Sequence, residues 1–344
     1  MDLKEFDYEL PQSLIAAYPS RERQASRLLV LKRKTGEVVH SVFAELENFL
    51  DPGDLLVLND TKVFPARLCG IKESGGKIEV LLLEPFPANR GLWMALADSA
   101  KKPRLGSRLL FGSVAAEVIG DLGRGRFGLE FHPAGDFARR LQAVGEPPLP
   151  PYIRRNRETV GLDWERYQTV YAANSGAIAA PTAGFHFTSE LLERLQRKAI
   201  DRALLTLHVG PGTFQPVREE QVENHRMEGE RYIVPAETAD KINRTKKADH
   251  RVVAVGSTSA RTLEWVALQK GKVEADEGIA RLFIRPGDRF RVIDALITNF
   301  HLPGSTPLIL VAAFAGLEAV RRAYAEAIKM EYRFYSYGDA MLIL

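Results

Sequence analysis

Only one cysteine, Cys69, occurs in the 344 residues. A single thiol excludes an intramolecular disulfide framework and a chain-borne iron–sulfur cluster, which takes roughly three or four thiolates, and it suits a reducing cytoplasm. Cys69 lies in the strand-like run "ARLCGIK" and is expected to be a small core residue. No apolar run reaches the roughly 20 residues of a membrane helix, and the most apolar stretch, "TPLILVAAFAG", reads as a buried helix. The opening "MDLKEFDYELPQSLIAAYPSRERQ" has no basic start followed by an apolar core, so no signal peptide is expected. Chemical signatures are missing as well. No GxGxxG follows an early strand, which argues against a dinucleotide-binding unit and the usual methyltransferase architecture. The phosphate-cradling GxxxxGK[ST] and the nucleophile elbow GxSxG are absent. Neither HxH nor HExxH occurs, so His186, His208, His225 and His301 show no zinc-like spacing and no metal is expected.

What is present is the composition of an ordinary folded chain, 26% charged and 45% hydrophobic, long enough for two domains. The net charge is only +3, yet residues 101–157 hold eleven Lys/Arg against five Asp/Glu. A basic segment on a chain otherwise slightly acidic is the footprint of polyanion binding, and equally of a solvated surface.

The first sixty residues read as mixed α/β. "RLLVLKRKTGEVVHSVF" is two strands around a Thr-Gly turn, followed by a short helix and the strand "DLLVLND". From residue 63 the texture becomes short β-rich runs between glycine turns, closing at the stiff connector "GEPPLPPYIRR". Strands and helices then alternate to the end. The expected fold is α/β: a mixed α/β main domain from residues 1–62 and 156–344, with an inserted β-barrel-like domain at 63–155.

Ligands bind where loops converge at strand ends in α/β folds. Several such ends here are polar. "VLNDTKVFPAR" places Asp60 directly after a hydrophobic run, and "TLHVGPGTFQPV" places His208, Gly210, Gly212 and Thr213 after another. "VAVGSTSARTLE" offers Ser257, Thr258 and Ser259 as helix caps with Arg261 one turn in, an arrangement suited to a carboxylate or phosphate. "ALITNFHLPGST" supplies Asn299 and His301, and "APTAGFHFT" supplies Thr182, Gly184 and His186. A loop histidine such as His186 is by itself more often a hydrogen-bonded structural residue; several polar strand ends together argue for a composite active site.

The blocks "LNDTKVFPARL", "APTAGFHFT", "TLHVGPGTFQPV", "VGSTSARTLE", "ALITNFHLPGST" and "YRFYSYGDAMLI" closely resemble the S-adenosylmethionine:tRNA ribosyltransferase-isomerase family, in the family's order, from "DYELPQSLIAAYP" onward. The resemblance implies transfer and isomerisation of the ribosyl part of S-adenosylmethionine onto the aminomethyl group of a 7-deazaguanine at the wobble position of the tRNA anticodon. Epoxyqueuosine forms, and adenine and methionine leave. It further implies S-adenosylmethionine as co-substrate without a prosthetic group, a cytoplasmic monomer, the tRNA anticodon arm as partner, no membrane association, and a cleft between two domains. On this reading His186, His208 and His301, then Asp60 and Asp339, are the candidates for proton transfer. Thr182, Gly184, Gly210, Gly212, Thr213, Ser257, Thr258, Ser259, Arg261 and Asn299 are the candidates for holding the co-substrate, with Arg261 and the helix end after Gly256 taking the methionine carboxylate. The loop phenylalanines and tyrosines would stack the unpaired base. The chain departs from the family pattern at Phe185, Glu228, Ala280, Arg281 and Arg285.

Overall fold

The computed structural model describes residues 1–86, 91–132, 137–150, 152–153, 160–210, 212 and 217–344. Its larger body is a nine-stranded mixed sheet, and its smaller one a closed six-stranded barrel.

The centre of the sheet is four parallel strands, β3 (Leu55–Asn59), β12 (Asp201–Leu207), β14 (Val252–Val255) and β16 (Ala295–Asn299). Every residue of β3, β14 and β16 is buried, because helices cover both faces and the strands need not alternate apolar with polar. The period of two decides which face each residue serves: Leu55 and Val57 enter one core, Leu56 and Leu58 the other. The first core is completed by α4 (Ala236–Lys247), α5 (Ser257–Lys270), α6 (Thr306–Ala315) and α7 (Leu317–Lys329). The second is closed by α3 (Ser189–Arg197) and a short 3₁₀ turn at Phe43–Asn48. Truncating a side chain such as Leu58 to alanine is expected to cost about 2–5 kcal/mol.

Both ends of the described chain build this sheet. β17 (Ala340–Ile343) lies antiparallel to β16 and parallel to β1 (Arg27–Lys32), which pairs in turn with β2 (Glu37–Val42). At the opposite edge, β13 (Glu230–Val234) adds antiparallel to β12, and β15 (Asp276–Ala280) adds antiparallel to β13.

The barrel strands are β5 (Arg67–Lys72), β6 (Lys77–Pro85), β7 (Leu92–Asp98), β8 (Arg108–Phe111), β9 (Val114–Gly123) and β10 (Arg126–His132). Alternate residues such as Leu68, Val80, Leu82, Phe127 and Leu129 fill its interior, and α1 (Phe137–Val144) plugs one end with Phe137 and Leu141. Gly70 permits closure, since a β-carbon there would lie 2.2 Å from the Leu110 carbonyl oxygen. Cys69, expected in a core, is exposed on the outer face: the barrel turns Leu68 inward, so its neighbour must point out. The "TPLILVAAFAG" helix is buried as expected, capped by Ser305, whose Oγ accepts from the Leu308 N–H at 3.4 Å. Among the described residues no helix is long and apolar enough to cross a membrane.

A small parallel pair joins the two bodies: β4 (Thr61–Val63) continues from β3 and pairs with β11 (Asn174–Ala177). α2 (Val160–Arg166) precedes it.

Candidate active site

One edge of the main sheet collects the polar strand ends. The parallel strands β3, β12, β14 and β16 all finish there, and β17, running against β16, begins there with Ala340 opposite Asn299. Asp60, His208, Gly256 and His301 follow those strands, and Asp339 immediately precedes β17. Loops at that edge have no further ladder to satisfy, so their side chains are free to form a site.

Between this edge and the barrel lies a cavity of about 1250 Å³. The sheet contributes His208, Gly210 and Glu230 to its wall, and β11 contributes Gly176. The His208 Nδ1 lies 2.8 Å from the Thr61 hydroxyl. Burial lowers the basicity of this imidazole, with the positive charge of Arg231 adding to the effect and Asp60 opposing it, so the ring is neutral at pH 7. A neutral histidine facing a cavity has a lone pair available as a base.

The barrel supplies the aromatic part of the wall, which the sequence reading missed. Phe64, Trp93 and Phe137 form a row, with ring centroids 5.6 Å apart for the first pair and 5.8 Å for the second, and all three line the cavity. Trp93 lies two residues before the inward-facing Ala95, which puts it on the inner face of β7 near its end, at the barrel mouth. That alternation was the signal available in the sequence. The phenylalanines expected to stack a base are instead core residues. Phe187 is fully buried edge-on against Phe43 at 4.9 Å, and Phe185 packs on Tyr167 and Tyr337.

His186 is 3% exposed. Its ring lies 5.0 Å from that of Phe43, and the Asn299 side-chain amide donates to its Nε2 at 3.2 Å. Burial lowers its pKa to about 4, against the opposing charge of Asp339. The Thr182 hydroxyl donates to the other end of the same amide, Asn299 Oδ1, at 2.9 Å, so Thr182, Asn299 and His186 form one chain of hydrogen bonds. His301 bonds through Nε2 to the Thr298 hydroxyl at 2.7 Å; its backbone carbonyl accepts from Tyr8, and burial pushes its pKa down to about 3. A second cavity of about 70 Å³ brings Thr182, Asn299 and His301 together with Gly256, Ser257 and Thr258 at the start of α5.

The remaining candidates are tied into the framework. Asp60 accepts from the Thr206 hydroxyl at 2.6 Å and from the Asn174 amide at 3.0 Å. Asp339, 1% exposed, accepts from the backbone N–H groups of Arg27 and Arg333 at 3.0 and 2.8 Å and from both guanidinium groups. Ser259 turns its hydroxyl back to the Val255 carbonyl at 2.8 Å. Gly184 packs where a β-carbon would lie 2.1 Å from the Tyr171 hydroxyl oxygen. Arg261 is ion-paired with Glu230, both buried, and burial lowers its pKa to about 10. Glu230 also accepts the Gly210 N–H at 2.8 Å, which with its ion pair to Arg261 links Gly210 to α5. Gly212 lies beside Glu228, and Thr213 lies outside the described residues. Glu228 is ion-paired with Arg126 of the barrel, and with Arg281 it lines the main cavity; Arg285 borders a separate hollow. Ala280 is buried on β15. Among the described residues no group of three or more His, Cys, Asp or Glu could hold a metal ion.

Known proteins match this chain along its length. The family model described as "Queuosine biosynthesis protein" covers residues 3–343. Proteins named S-adenosylmethionine:tRNA ribosyltransferase-isomerase from Pelobacter propionicus and Trichlorobacter lovleyi are 53% and 52% identical, each aligned over the whole of both chains. A crystal structure of S-adenosylmethionine tRNA ribosyltransferase from Thermotoga maritima matches with a TM-score of 0.56 at 40% identity, covering 99% of this chain and 100% of that one. A barrel set against a mixed sheet, with polar strand ends around a cavity, is thus joined to full-length similarity, and the chain belongs to the S-adenosylmethionine:tRNA ribosyltransferase-isomerase family of queuosine-biosynthesis proteins.

Proposed function

We propose that this transferase moves the ribosyl part of S-adenosylmethionine onto the 7-aminomethyl group of a 7-deazaguanine in the tRNA anticodon, isomerising it to give epoxyqueuosine and releasing adenine and methionine. The observation that carries this reading is the cavity of about 1250 Å³, with His208 on one wall and the Phe64–Trp93–Phe137 row on another. Its size and mixed walls suit two nucleoside-like substrates held together, with an aromatic surface for a base and a neutral imidazole for a proton.

In this reading His208 takes the proton from the ribosyl carbon beside the sulfonium, a position that the positive sulfur acidifies. The amine of the modified base forms the new bond to the sugar, and adenine and methionine depart. His186 and His301 are neutral at working pH because of burial, and serve the nucleoside as hydrogen-bonding groups in line with Asn299 and Thr182. The N-terminus of α5, with Ser257 and Thr258, receives the methionine carboxylate, and the Arg261–Glu230 pair stands behind it. Asp60 and Asp339 hold the framework. The exposed barrel cations Lys101, Lys102, Arg104, Arg108 and Arg124 follow the phosphates of the anticodon arm. The enzyme works as a cytoplasmic monomer, with no prosthetic group.

Adenine release tests the proposal. Incubation with S-adenosylmethionine and tRNA carrying the aminomethyl deazaguanine should liberate adenine and methionine together, and His208→Ala should lower the rate by about a hundredfold or more. No adenine from the wild-type protein would overturn the proposal.

A further inference from the structure

We propose that Thr61 is a positioning residue that decides which nitrogen of His208 is the base, holding the ring as the tautomer whose bare Nε2 faces the cavity. This deepens the reading of His208 given above and rests on it. Thr61 is fully buried at the start of β4. Its Oγ1 lies 2.8 Å from His208 Nδ1 and 3.4 Å from the main-chain oxygen of Asn174. A carbonyl oxygen can only accept, so both contacts are hydrogen bonds at once only when the one hydroxyl proton of Thr61 goes to Asn174. The threonine oxygen is then left to accept, and the ring hydrogen must sit on Nδ1. That leaves Nε2 unprotonated in the neutral ring, with no hydrogen-bond partner among the described residues.

The direction of this relay is enforced from further back. Asn174 is clamped: its backbone N–H donates to the Asp60 carbonyl at 3.2 Å, and its side-chain amide donates to Asp60 Oδ2 and to the Thr206 oxygen, each at 3.0 Å. The Thr206 hydroxyl donates its own proton to Asp60 Oδ1 at 2.6 Å. Thr61 is clamped too, by its N–H donating to Asn59 Oδ1 at 3.1 Å. Neither the threonine oxygen nor the carbonyl it addresses can swing away, so the tautomer is set by fixed donors and acceptors. The buried Asp60 carboxylate therefore acts on the imidazole through two intervening residues and touches neither ring nor substrate.

The test uses the full chain and two variants, with an observable besides activity. Thr61→Val keeps the shape and removes the hydroxyl; Thr61→Ser keeps the hydroxyl. Nitrogen-15 NMR of the histidine rings should show His208 protonated at Nδ1 and bare at Nε2 in the wild type and in Thr61→Ser. In Thr61→Val a population protonated at Nε2 should appear. With S-adenosylmethionine and the modified tRNA, Thr61→Val should lower kcat for adenine release about tenfold with KM for S-adenosylmethionine within about twofold, and Thr61→Ser should restore kcat. A wild-type ring protonated at Nε2 would overturn the proposal, as would a Thr61→Val protein with unchanged tautomer and unchanged kcat. Absence of adenine release by the wild type would defeat the activity reading alone, since the spectra report the tautomer independently.

Discussion

The imidazole of His208 lies against the α-carbon of Gly176, so closely that a β-carbon there would sit 2.7 Å from Cε1, 2.8 Å from Nδ1 and 2.9 Å from Nε2. Every ring atom approached is inside the closest distance that real β-carbons keep. Gly176→Ala is therefore expected to push the ring off Thr61. It should lower kcat by about a hundredfold through lost alignment while the protein stays folded. Steady-state kinetics beside a circular-dichroism melt would check both halves of this outcome.

Trp93 gives a prediction about RNA affinity. As the middle ring of the Phe64–Trp93–Phe137 row it offers the cavity its largest flat surface. Trp93→Ala should weaken binding of a modified anticodon stem-loop by about 1–3 kcal/mol, the usual worth of one stacked base. The same substitution at Phe187, which is packed on Phe43, should reduce stability and leave the affinity of the folded fraction intact. Fluorescence anisotropy with a labelled stem-loop separates the two.

Buried His186 makes stability depend on pH. The folded ring titrates near 4 and an unfolded one near 6.5, so between these values the unfolded chain binds a proton that the folded chain does not. Stability is full above about pH 6.5 and falls as pH drops toward about 4. In His186→Asn the slope of unfolding free energy against pH in that window should be shallower by up to about 1.4 kcal/mol per pH unit. Urea midpoints at pH 7 and pH 5 measure it.

Asp339 should matter more to folding than to turnover. Its carboxylate, 1% exposed, takes two backbone N–H groups and the guanidinium groups of Arg27 and Arg333. Asp339→Ala strands two amide donors beside two cations, and a loss of about 3–5 kcal/mol is expected. Denaturant unfolding reads this, and kcat of the remaining folded enzyme should stay within about threefold of the wild type.

Much of this architecture was legible because it is written in short-range patterns. "DLLVLND", "RVVAVGS" and "ALITNF" are apolar runs bounded by turn residues, and they are the parallel strands β3, β14 and β16. Their polar ends lie at one edge, because strands of one direction must finish together. What was not legible depends on partners distant in sequence. Thr61 meets His208 across 147 residues, only because β4 continues β3 and β3 pairs with β12. The aromatic wall was missed for a related reason. A phenylalanine beside a histidine stands out in "GFHFT", whereas Trp93 in "LWMALAD" becomes a cavity residue only when the barrel closes and its mouth is set against the sheet.

β1 lies against β17, with Leu28 paired to Ala340 and Leu31 to Ile343. A ribosome making this protein exposes β1 early, and its parallel neighbour appears more than three hundred residues later. Until then β1, though paired with β2, presents a bare apolar edge, and the site that Asn299 and Asp339 frame is incomplete. The six-stranded barrel, by contrast, is drawn from one continuous stretch and can close while the chain is still emerging. In order of synthesis the barrel strands are thus complete long before the sheet edge that carries the candidate site, whose assembly waits on the long loop that β17 must close.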